Sequence, residues 1–315
     1  MKMKMGMEPY PYYLQKYEND ELKDVVEKLE EHLKNCRLCP RNCGVDRRKS
    51  VGVCLQRDRV RLTNYLLHFG EEPPLVMDEY GNLKGAGTIF FSGCSMRCTY
   101  CQNFGFSQLN NGRDYTTEEL AGMFLDLQRR GALNLDLVTP TPHLPFIMKA
   151  LQMAISEGLK LPIVYNTSGY ERIETLKLLD HVVDIYLVDI RYTDDDTGMR
   201  YSKVPNYWTV TKRAIKEMYR QVGAFREVPF KRGIIIRILV FPENIGRYER
   251  AFEFIVDELS PTVPVSLMSQ YFPTYKALND PVIGRKLTFE EYERAVRKME
   301  EYGLVYGWIQ DMGRS

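Results

Sequence analysis

Short runs of β-branched and aromatic residues alternate with amphipathic stretches through most of the chain. Each such run predicts a strand. The runs lie at residues 88–91, 133–139, 162–166, 184–190, 233–241 and 263–268. Between them, apolar residues recur every three or four positions, which is the spacing that places side chains on one face of a helix. The pattern therefore predicts six strands separated by helices.

Capping residues mark where two of these helices begin. Thr116 and Glu119 form a candidate capping box before one helix, and Thr288 and Glu291 form another before the last helix. Further helices are predicted near residues 145–157, 171–179, 207–222 and 248–259. Strands that alternate with helices form parallel sheets with right-handed crossovers. Six such units suit a doubly wound sheet or an incompletely closed barrel, so the predicted fold class is α/β.

The first part of the chain follows a different pattern. Residues 20–34 place apolar side chains at helical spacing, and residues 36–62 are rich in Cys, Arg and Gly. The stretch HFGEEPPLV then interrupts any regular pattern with two prolines. We predict a boundary near residue 84, with an N-terminal helix and cysteine-rich extension over residues 1–84 and a core over residues 85–315.

Composition places the chain among ordinary globular proteins. Hydrophobic residues make up 44% and charged residues 27% of the 315 residues, near the averages for soluble domains. The net charge of +1 gives no overall attraction to nucleic acid or to an anionic membrane. No stretch approaches the roughly 20 apolar residues of a membrane span, and no apolar signal region follows the first lysines. We therefore expect a cytoplasmic protein with no membrane partner and no indicated nucleic-acid partner.

Seven cysteines, an odd number, fall into two tight groups, with none after residue 101. Cys94, Cys98 and Cys101 have the spacing C-x3-C-x2-C directly after the first core strand, where the loops of a parallel barrel gather functional groups. Three thiolates hold three irons of a [4Fe–4S] cluster and leave the fourth iron open to a further ligand. A zinc site or a sealed electron-transfer cluster is the alternative, but both normally take four protein ligands.

The upstream group supplies four cysteines. Cys36, Cys39, Cys43 and Cys54 follow C-x2-C-P-x2-C-x10-C, which is compact enough to surround one metal centre. Four thiolates suit a structural zinc ion or an accessory [4Fe–4S] cluster, and the spacing leaves both open. The basic residues between these cysteines suit an acidic redox partner or RNA, although a solvated basic surface explains them more simply.

The motif C-x3-C-x-aromatic-C, with Tyr100 as the aromatic residue, resembles that of the radical S-adenosylmethionine (SAM) superfamily. A closer resemblance is to the pyruvate formate-lyase activating enzyme group, in a branch with an additional N-terminal cysteine motif. It rests on HFGEEPPLV, GAGTIFFSGCSMRCTYCQN, LVTPTPH, YNTSGYE and MSQYFP, and it spans about residues 30–310. The resemblance implies a partial (β/α)6 barrel of the radical SAM type with an N-terminal cysteine-rich extension, which agrees with the six predicted strands.

The same resemblance implies which residues meet SAM. The implied contacts are Tyr100, Thr139, Thr141, Asn166, Ser168, Asp189, Arg191 and Arg237. Thr139 departs from the family pattern, which has a glycine-rich segment at this strand end. A plain strand-to-helix turn is the alternative for the two threonines. For the acidic and basic residues of the later strands the alternative is an internal ion pair.

The resemblance also implies an activity. The chain would use one electron from a ferredoxin- or flavodoxin-type donor to cleave SAM into methionine and a 5′-deoxyadenosyl radical. The leading hypothesis is an activating enzyme that creates a glycyl radical on a protein substrate. A radical enzyme that modifies a small molecule, peptide or RNA is one alternative, and a non-catalytic metal-binding protein is the other.

Overall fold

A single nine-stranded sheet organises the part of the chain that the computed structural model describes, residues 10–312. Its strands are β1 (Val60–His68), β2 (Ala86–Phe91), β3 (Arg113–Tyr115), β4 (Leu135–Val138), β5 (Ile163–Thr167), β6 (Ile185–Ile190), β7 (Gly233–Leu239), β8 (Val265–Met268) and β9 (Gly307–Ile309). β2 and β4 to β9 are parallel to one another, and β1 pairs antiparallel with both β2 and β3. All six predicted core strands are therefore present.

The order of the strands decides between the two predicted architectures. From β2 onward, each parallel strand lies beside the next one in the chain, and the spatial order is β3-β1-β2-β4-β5-β6-β7-β8-β9. A doubly wound sheet would reverse this order at a switch point, whereas a barrel keeps the sequential order. Since β3 and β9 remain as separate edges, the fold is an incompletely closed parallel barrel with an antiparallel edge.

Helices connect the strands, and most of them cover the outer face of the sheet. They are α1 (Tyr13–Glu18), α2 (Glu21–Glu31), α3 (Pro73–Val76), α4 (Phe104–Ser107), α5 (Thr117–Arg129), α6 (Leu144–Ser156), α7 (Ile173–Leu178), α8 (Asp195–Ser202), α9 (Tyr207–Val222), α10 (Tyr248–Glu258) and α11 (Phe289–Glu301). Both predicted capping boxes form, at the first residues of α5 and α11. Among residues 10–312, no helix combines the length and the apolar character that crossing a membrane requires.

The strand β1 was not predicted, because it lies next to the edge strand β3 and only two of its nine residues are buried. It pairs with β2 from Leu62 opposite Phe91 to His68 opposite Ala86. The sheet therefore includes residues on both sides of position 84. The division of the chain into two domains at that position stays a prediction.

The inner face of the barrel is closed near its amino-terminal end by α3. Leu75 of this short helix is fully buried against inward-facing residues of three parallel strands. These residues are Val164, Ile185, Leu187 and Ile235. Because successive residues of a strand point to opposite faces, the next inward positions toward the carboxyl ends of β5 and β7 are Asn166 and Arg237. The apolar plug thus lies directly beneath the polar residues of the candidate site.

Candidate functional site

The carboxyl ends of the parallel strands bring most of the predicted residues to one rim of the barrel. The rim loop, residues 92–103, follows β2 and contains Cys94, Cys98 and Cys101. Two backbone hydrogen bonds hold it to the end of α8, from the Arg97 N–H to the Ser202 carbonyl at 2.9 Å and from the Thr99 N–H to the Tyr201 carbonyl at 2.8 Å. The loop that carries the thiols therefore has a fixed support.

Hydroxyl groups contact the thiols of the rim loop. The Ser202 hydroxyl donates to Cys98 Sγ at 3.0 Å, and Cys101 Sγ lies 3.1 Å from the Ser107 hydroxyl. Burial raises the pKa of the Cys98 thiol, although the positive charge of Arg191 opposes the shift. Burial and the Cys98 thiolate together raise the pKa of Cys94 to about 12. The thiols are therefore close enough to influence one another electrostatically.

Tyr100 is buried beneath the rim loop. Its hydroxyl oxygen lies 2.7 Å from that of Tyr192, which in turn lies 2.9 Å from the Ser202 hydroxyl. Its ring meets Phe241 at 4.9 Å between centroids and at an interplanar angle of 78°. Because the phenol is fully engaged within the protein, the structure gives Tyr100 a supporting position behind Cys98.

Arg237 is the centre of a buried polar network on the inner face. Each of its three guanidinium nitrogens has a partner. Nε donates to Asp189 Oδ1 at 2.7 Å, Nη1 donates to Glu71 Oε1 at 2.9 Å, and Nη2 donates to Asn166 Oδ1 at 2.7 Å. The side chains of Arg237, Glu71 and Asp189 are only 10–13% exposed. Arg237 therefore fixes the positions of all three neighbours through one guanidinium group.

A third carboxylate, that of Asp136, extends this network toward β4. Asn166 Nδ2 donates to Glu71 Oε2 at 3.1 Å and to Asp136 Oδ1 at 3.2 Å, and the Thr88 hydroxyl donates to Asp136 Oδ2 at 2.9 Å. Burial and the negative charge of Glu71 raise the pKa of Asp136 to about 7. Asp136 therefore keeps its proton to a higher pH than an exposed carboxyl group does.

Arg191 differs from Arg237 because one of its buried nitrogens has no hydrogen-bond partner. Nη2 donates to Asp189 Oδ2 at 2.8 Å, while Nε is buried without a hydrogen-bond partner. The side chain is near Tyr100 and Cys98, whose charges act on its pKa. Of the two predicted arginines, Arg191 is therefore the one that can bind an anionic group beside the rim loop.

The two threonines of the second core strand end do not share one environment. Thr139 has a φ of +57°, and its N–H donates to the Asn166 carbonyl at 3.0 Å. Thr141 is buried on the helix side of the sheet, where its hydroxyl donates to Glu171 Oε1 at 2.7 Å and lies 3.0 Å from the Tyr165 hydroxyl. The structure therefore does not bring Thr141 to the inner face.

Ser168 lies just beyond the carboxyl end of β5. Its carbonyl accepts a hydrogen bond from the Tyr207 hydroxyl at 2.9 Å. The same hydroxyl accepts from the Arg191 N–H at 3.1 Å. Tyr207 thus joins the ends of β5 and β6 and keeps Ser168 and Arg191 adjacent.

Glu71 is the functional-site residue that sequence reasoning missed. It precedes α3, in the stretch HFGEEPPLV that carried part of the family resemblance. Its neighbour Glu72 accepts a hydrogen bond from the Trp308 indole of β9, so the segment crosses the open side of the barrel. The signal in the sequence was a pair of carboxylates beside two prolines, but nothing local indicates that they enter the barrel.

The upstream cysteine segment, residues 36–54, packs against the rim loop. Arg41 Nε donates to the Ser95 carbonyl at 2.7 Å, and Arg97 Nη2 donates to the Val53 carbonyl. Gly93 has a φ of +78°, and a Cβ there would collide with the Cys54 carbonyl oxygen. The two cysteine groups, which the sequence separates by forty residues, are therefore direct neighbours.

The four upstream thiols also affect one another. Burial raises the pKa of Cys54, and the thiolates of Cys36 and Cys43 add to the shift. Burial likewise raises the pKa of Cys39. Within residues 10–312, however, no three Cys, His, Asp or Glu side chains already form a metal-binding group. Binding a metal at either cysteine group would require the thiols to lose their protons.

The sequence of the barrel matches a known family. A sequence model of the Radical SAM superfamily matches residues 88–255, from β2 through most of α10. The chain belongs to the radical SAM superfamily. The predicted family and fold class are therefore confirmed. Members of this superfamily use a [4Fe–4S] cluster and SAM.

Relatives of this radical SAM protein include uncharacterized protein MJ0674 of Methanocaldococcus jannaschii, which is 35% identical over 292 residues, 89% of this chain and 78% of that protein. The pyruvate formate-lyase-activating enzyme of Clostridium pasteurianum is 27% identical over 128 residues, 38% of this chain and 52% of the enzyme. Among solved structures, Streptococcus suis SuiB bound to S-adenosylmethionine has 13% identity and a TM-score of 0.50, over 70% of this chain and 48% of SuiB. The chain thus spans about half the length of SuiB, and this likeness concerns the fold alone.

The residues of the rim fit the two cofactors of the family in chemical type. Three thiols on one short loop supply the donor set for a cluster with one open iron. The Nε of Arg191, which is buried and has no hydrogen-bond partner, supplies a positively charged hydrogen-bond donor beside them. A sulfonium nucleotide with a carboxylate would find both groups on the same side of the barrel.

Proposed function

We propose that this radical SAM protein cleaves SAM reductively at a [4Fe–4S] cluster held by Cys94, Cys98 and Cys101, and that it activates a glycyl radical enzyme. The observation that carries the first part is the position of the three thiols, on a supported loop at the carboxyl rim of the barrel and next to Arg191. When bound, the cluster would supply the electron that splits the C5′–S bond of SAM into methionine and a 5′-deoxyadenosyl radical.

The protein side chains would orient SAM and separate it from water. Arg191 would pair with the SAM carboxylate through its unused Nε, and Asp189 would hold the guanidinium in place at 2.8 Å. Asn166 and Ser168 would face the nucleotide from the end of β5. Arg237 would act as a positioning residue, because all of its nitrogens already bind protein groups.

The substrate of the radical is the second part of the proposal. The 5′-deoxyadenosyl radical would take a hydrogen atom from the Cα of a glycine in a partner protein, which leaves 5′-deoxyadenosine and a glycyl radical. Similarity to the Clostridium pasteurianum activating enzyme supports this hypothesis. So does similarity to MJ1227, a putative glycyl-radical enzyme activating enzyme of Methanocaldococcus jannaschii that is 31% identical over 102 residues, 31% of this chain.

A cleavage assay tests the first part. Anaerobically reconstituted protein is incubated with SAM and dithionite, and 5′-deoxyadenosine is measured by chromatography. We expect product from the wild-type protein and none from Cys98→Ala. Ser202→Ala, which removes only the hydroxyl that contacts Cys98, is the matched control and should retain cleavage. Equal product from the Cys98→Ala protein, with its folding checked by circular dichroism, would refute the assignment.

Electron paramagnetic resonance tests the second part. The reaction is repeated with glycyl radical enzymes encoded near this chain, and a carbon-centred radical on the partner is the expected result. Absence of such a radical with every candidate, together with active SAM cleavage, would overturn the activating role alone.

Modification of a small molecule, peptide or RNA is the second candidate function. The observation that favours it is the upstream cysteine segment, which packs directly on the rim loop. A deuterated substrate would transfer its label to 5′-deoxyadenosine, and mass spectrometry detects that transfer. A panel of labelled compounds from the three classes therefore identifies the substrate class directly.

We also propose an accessory metal centre at Cys36, Cys39, Cys43 and Cys54. The mutual influence of their thiols and their burial support it. Iron, sulfide and zinc analysis distinguishes the two options, since a second cluster would give about eight irons per chain and a zinc site about four irons and one zinc. Protein with about four irons and no zinc would refute the accessory centre.

A further inference from the structure

The cysteine-rich part of the chain has a high net positive charge. Residues 36–62 contain eight Lys and Arg and two Asp, a net charge of +6, whereas the whole chain has a net charge of only +1. The remaining residues are therefore acidic on balance. Such an asymmetry creates a local positive field that the overall composition conceals.

Part of this charge surrounds an open cavity. The cavity has a volume of about 500 Å³, and Arg57, Arg59 and Arg61 contribute three guanidinium groups to its lining. Asp114 is the lining carboxylate, and it pairs with Arg59 at 3.2 Å and Arg61 at 2.6 Å. One carboxylate leaves the positive charge of the lining largely uncompensated, so the cavity favours an anionic surface.

The wall of the cavity adjoins both cysteine groups. Gln56 lines the cavity and is 1% exposed, and its amide donates to the Cys54 carbonyl at 3.1 Å and to Asn110 Oδ1 at 2.6 Å. Gly93, the residue directly before Cys94, packs against the same amide so closely that a Cβ would collide with it. One side-chain amide thus separates the cavity from the start of the rim loop.

This location is suited to electron entry. The cavity lies on the β1 and β3 edge, outside the barrel, whereas SAM and the radical substrate would occupy the inner face. A donor that docks there would approach the rim loop without blocking the substrate. Electron transfer weakens steeply with distance, so a docking site that adjoins the cysteine groups favours the transfer.

We propose that the cavity lined by Arg57, Arg59 and Arg61, with the basic surface around it, is the docking site for a small acidic one-electron carrier protein. This inference rests on the proposed function. The reduced carrier would pass one electron to the [4Fe–4S] cluster that the rim loop would hold. That electron would be consumed when the C5′–S bond of SAM breaks. The carrier leaves in its oxidised form, and no proton or group is transferred at the docking site.

An acidic protein fits this surface better than RNA does. Asp114 stands between two of the arginines and would repel a continuous phosphate backbone. A protein that presents separate carboxylates to individual guanidinium groups avoids this repulsion, and Arg pairs with carboxylates in bidentate geometry.

The test compares two sources of electrons. SAM cleavage by the reconstituted protein is measured once with dithionite, a small reductant that needs no docking site, and once with a reduced, strongly acidic flavodoxin. The variant Arg57→Glu/Arg59→Glu reverses two charges at the cavity. The control variant Arg294→Glu/Arg297→Glu makes the same change on exposed residues of α11, near the opposite edge of the sheet.

We expect the cavity variant to need about tenfold or more flavodoxin for half-maximal cleavage, with an unchanged dithionite rate, because the reversed charges repel the carrier. Added salt should weaken the flavodoxin reaction of the wild-type protein, since screening acts on exposed charges. The control variant should behave like the wild-type protein. Equal flavodoxin dependence of the two variants would overturn the docking site. RNA binding at the cavity, combined with no effect of flavodoxin there, would overturn it as well.

Anaerobic calorimetry of flavodoxin binding provides a readout that does not depend on turnover. Loss of flavodoxin binding in the cavity variant, but not in the control variant, would support the docking site even where SAM is not cleaved. Failure of dithionite-driven cleavage in the wild-type protein would instead refute the proposed function. The two failures are therefore distinguishable.

Discussion

The buried network around Arg237 yields a quantitative prediction about stability. Substitution Arg237→Ala removes the cation that pairs with Glu71 at 2.9 Å and with Asp189 at 2.7 Å. Both carboxylates are nearly buried, so neither gains full hydration when the cation is lost. Asn166 Oδ1 loses its donor from the same residue.

The expected cost follows from burial. Removal of one partner from a buried ion pair costs about 3–5 kcal/mol, because an uncompensated charge remains inside the protein. Arg285 provides a matched comparison, since it pairs with Glu243 at 2.9 Å and with Glu291 at 2.7 Å, although its side chain is 41% exposed. Exposed ion pairs contribute about 1 kcal/mol or less, so Arg285→Ala should have a small effect.

Urea unfolding, followed by far-ultraviolet circular dichroism on anaerobically purified proteins of equal iron content, measures both free energies of unfolding. We expect Arg237→Ala to lower the free energy of unfolding several times more than Arg285→Ala does. Since the ion-pair distances match, the difference isolates burial. Equal losses in the two variants would refute the reasoning, because burial would then not determine the contribution of these pairs.

Three further predictions concern the loop, the pH dependence and the plug. Gly93→Ala should lower the free energy of unfolding and the iron content, because a Cβ would collide with the Cys54 carbonyl. Gly131 also has a positive φ but faces open space, so Gly131→Ala should cost only about 1 kcal/mol in urea unfolding. Equal effects of the two substitutions would contradict the collision. Burial raises the pKa of Asp184 to about 7, so the folded state keeps a proton that the unfolded state loses above about pH 4. The free energy of unfolding should therefore fall as pH rises toward 7, and Asp184→Asn should reduce this slope in urea titrations from pH 5 to 8; an unchanged slope would contradict the assignment. Leu75→Ala should cost about 2–5 kcal/mol in the same assay, since the side chain is fully buried in the plug, and a cost below 1 kcal/mol would show that the barrel end collapses around the gap.

Much of the architecture was predictable because its causes are local. In the capping box of α5, the Thr116 hydroxyl accepts from the Glu119 N–H at 3.1 Å, and the Glu119 carboxylate accepts from the Thr116 N–H at 2.7 Å. Both partners lie within three residues of each other, so the chain encodes the contact directly. The runs of β-branched residues and the spacing of the cysteines are local in the same sense.

The sequence did not indicate the hydrogen-bond partners of two candidate site residues, Arg237 and Thr141. The SAM contact of Arg237 stays a prediction, and the structure adds that each of its three nitrogens binds a protein group, one of them on Glu71, a residue 166 positions away. Thr141 was expected at the same site, but the short turn at Thr141–His143 directs its hydroxyl to Glu171 on the helix side. In both cases the partner belongs to a distant element, and no local pattern specifies it.

The sequence by itself determined the family, the alternation of strands and helices and the two groups of thiols, because motif spacing and side-chain periodicity are properties of short segments. Only the tertiary structure decided that Glu71 enters the barrel and that the upstream cysteine segment lies against the rim loop. These outcomes depend on pairing and packing between residues far apart in the chain, where many combinations satisfy the same local patterns. Because a buried charge or polar group without a partner is costly, the folded state is the combination that leaves the fewest of them unpaired.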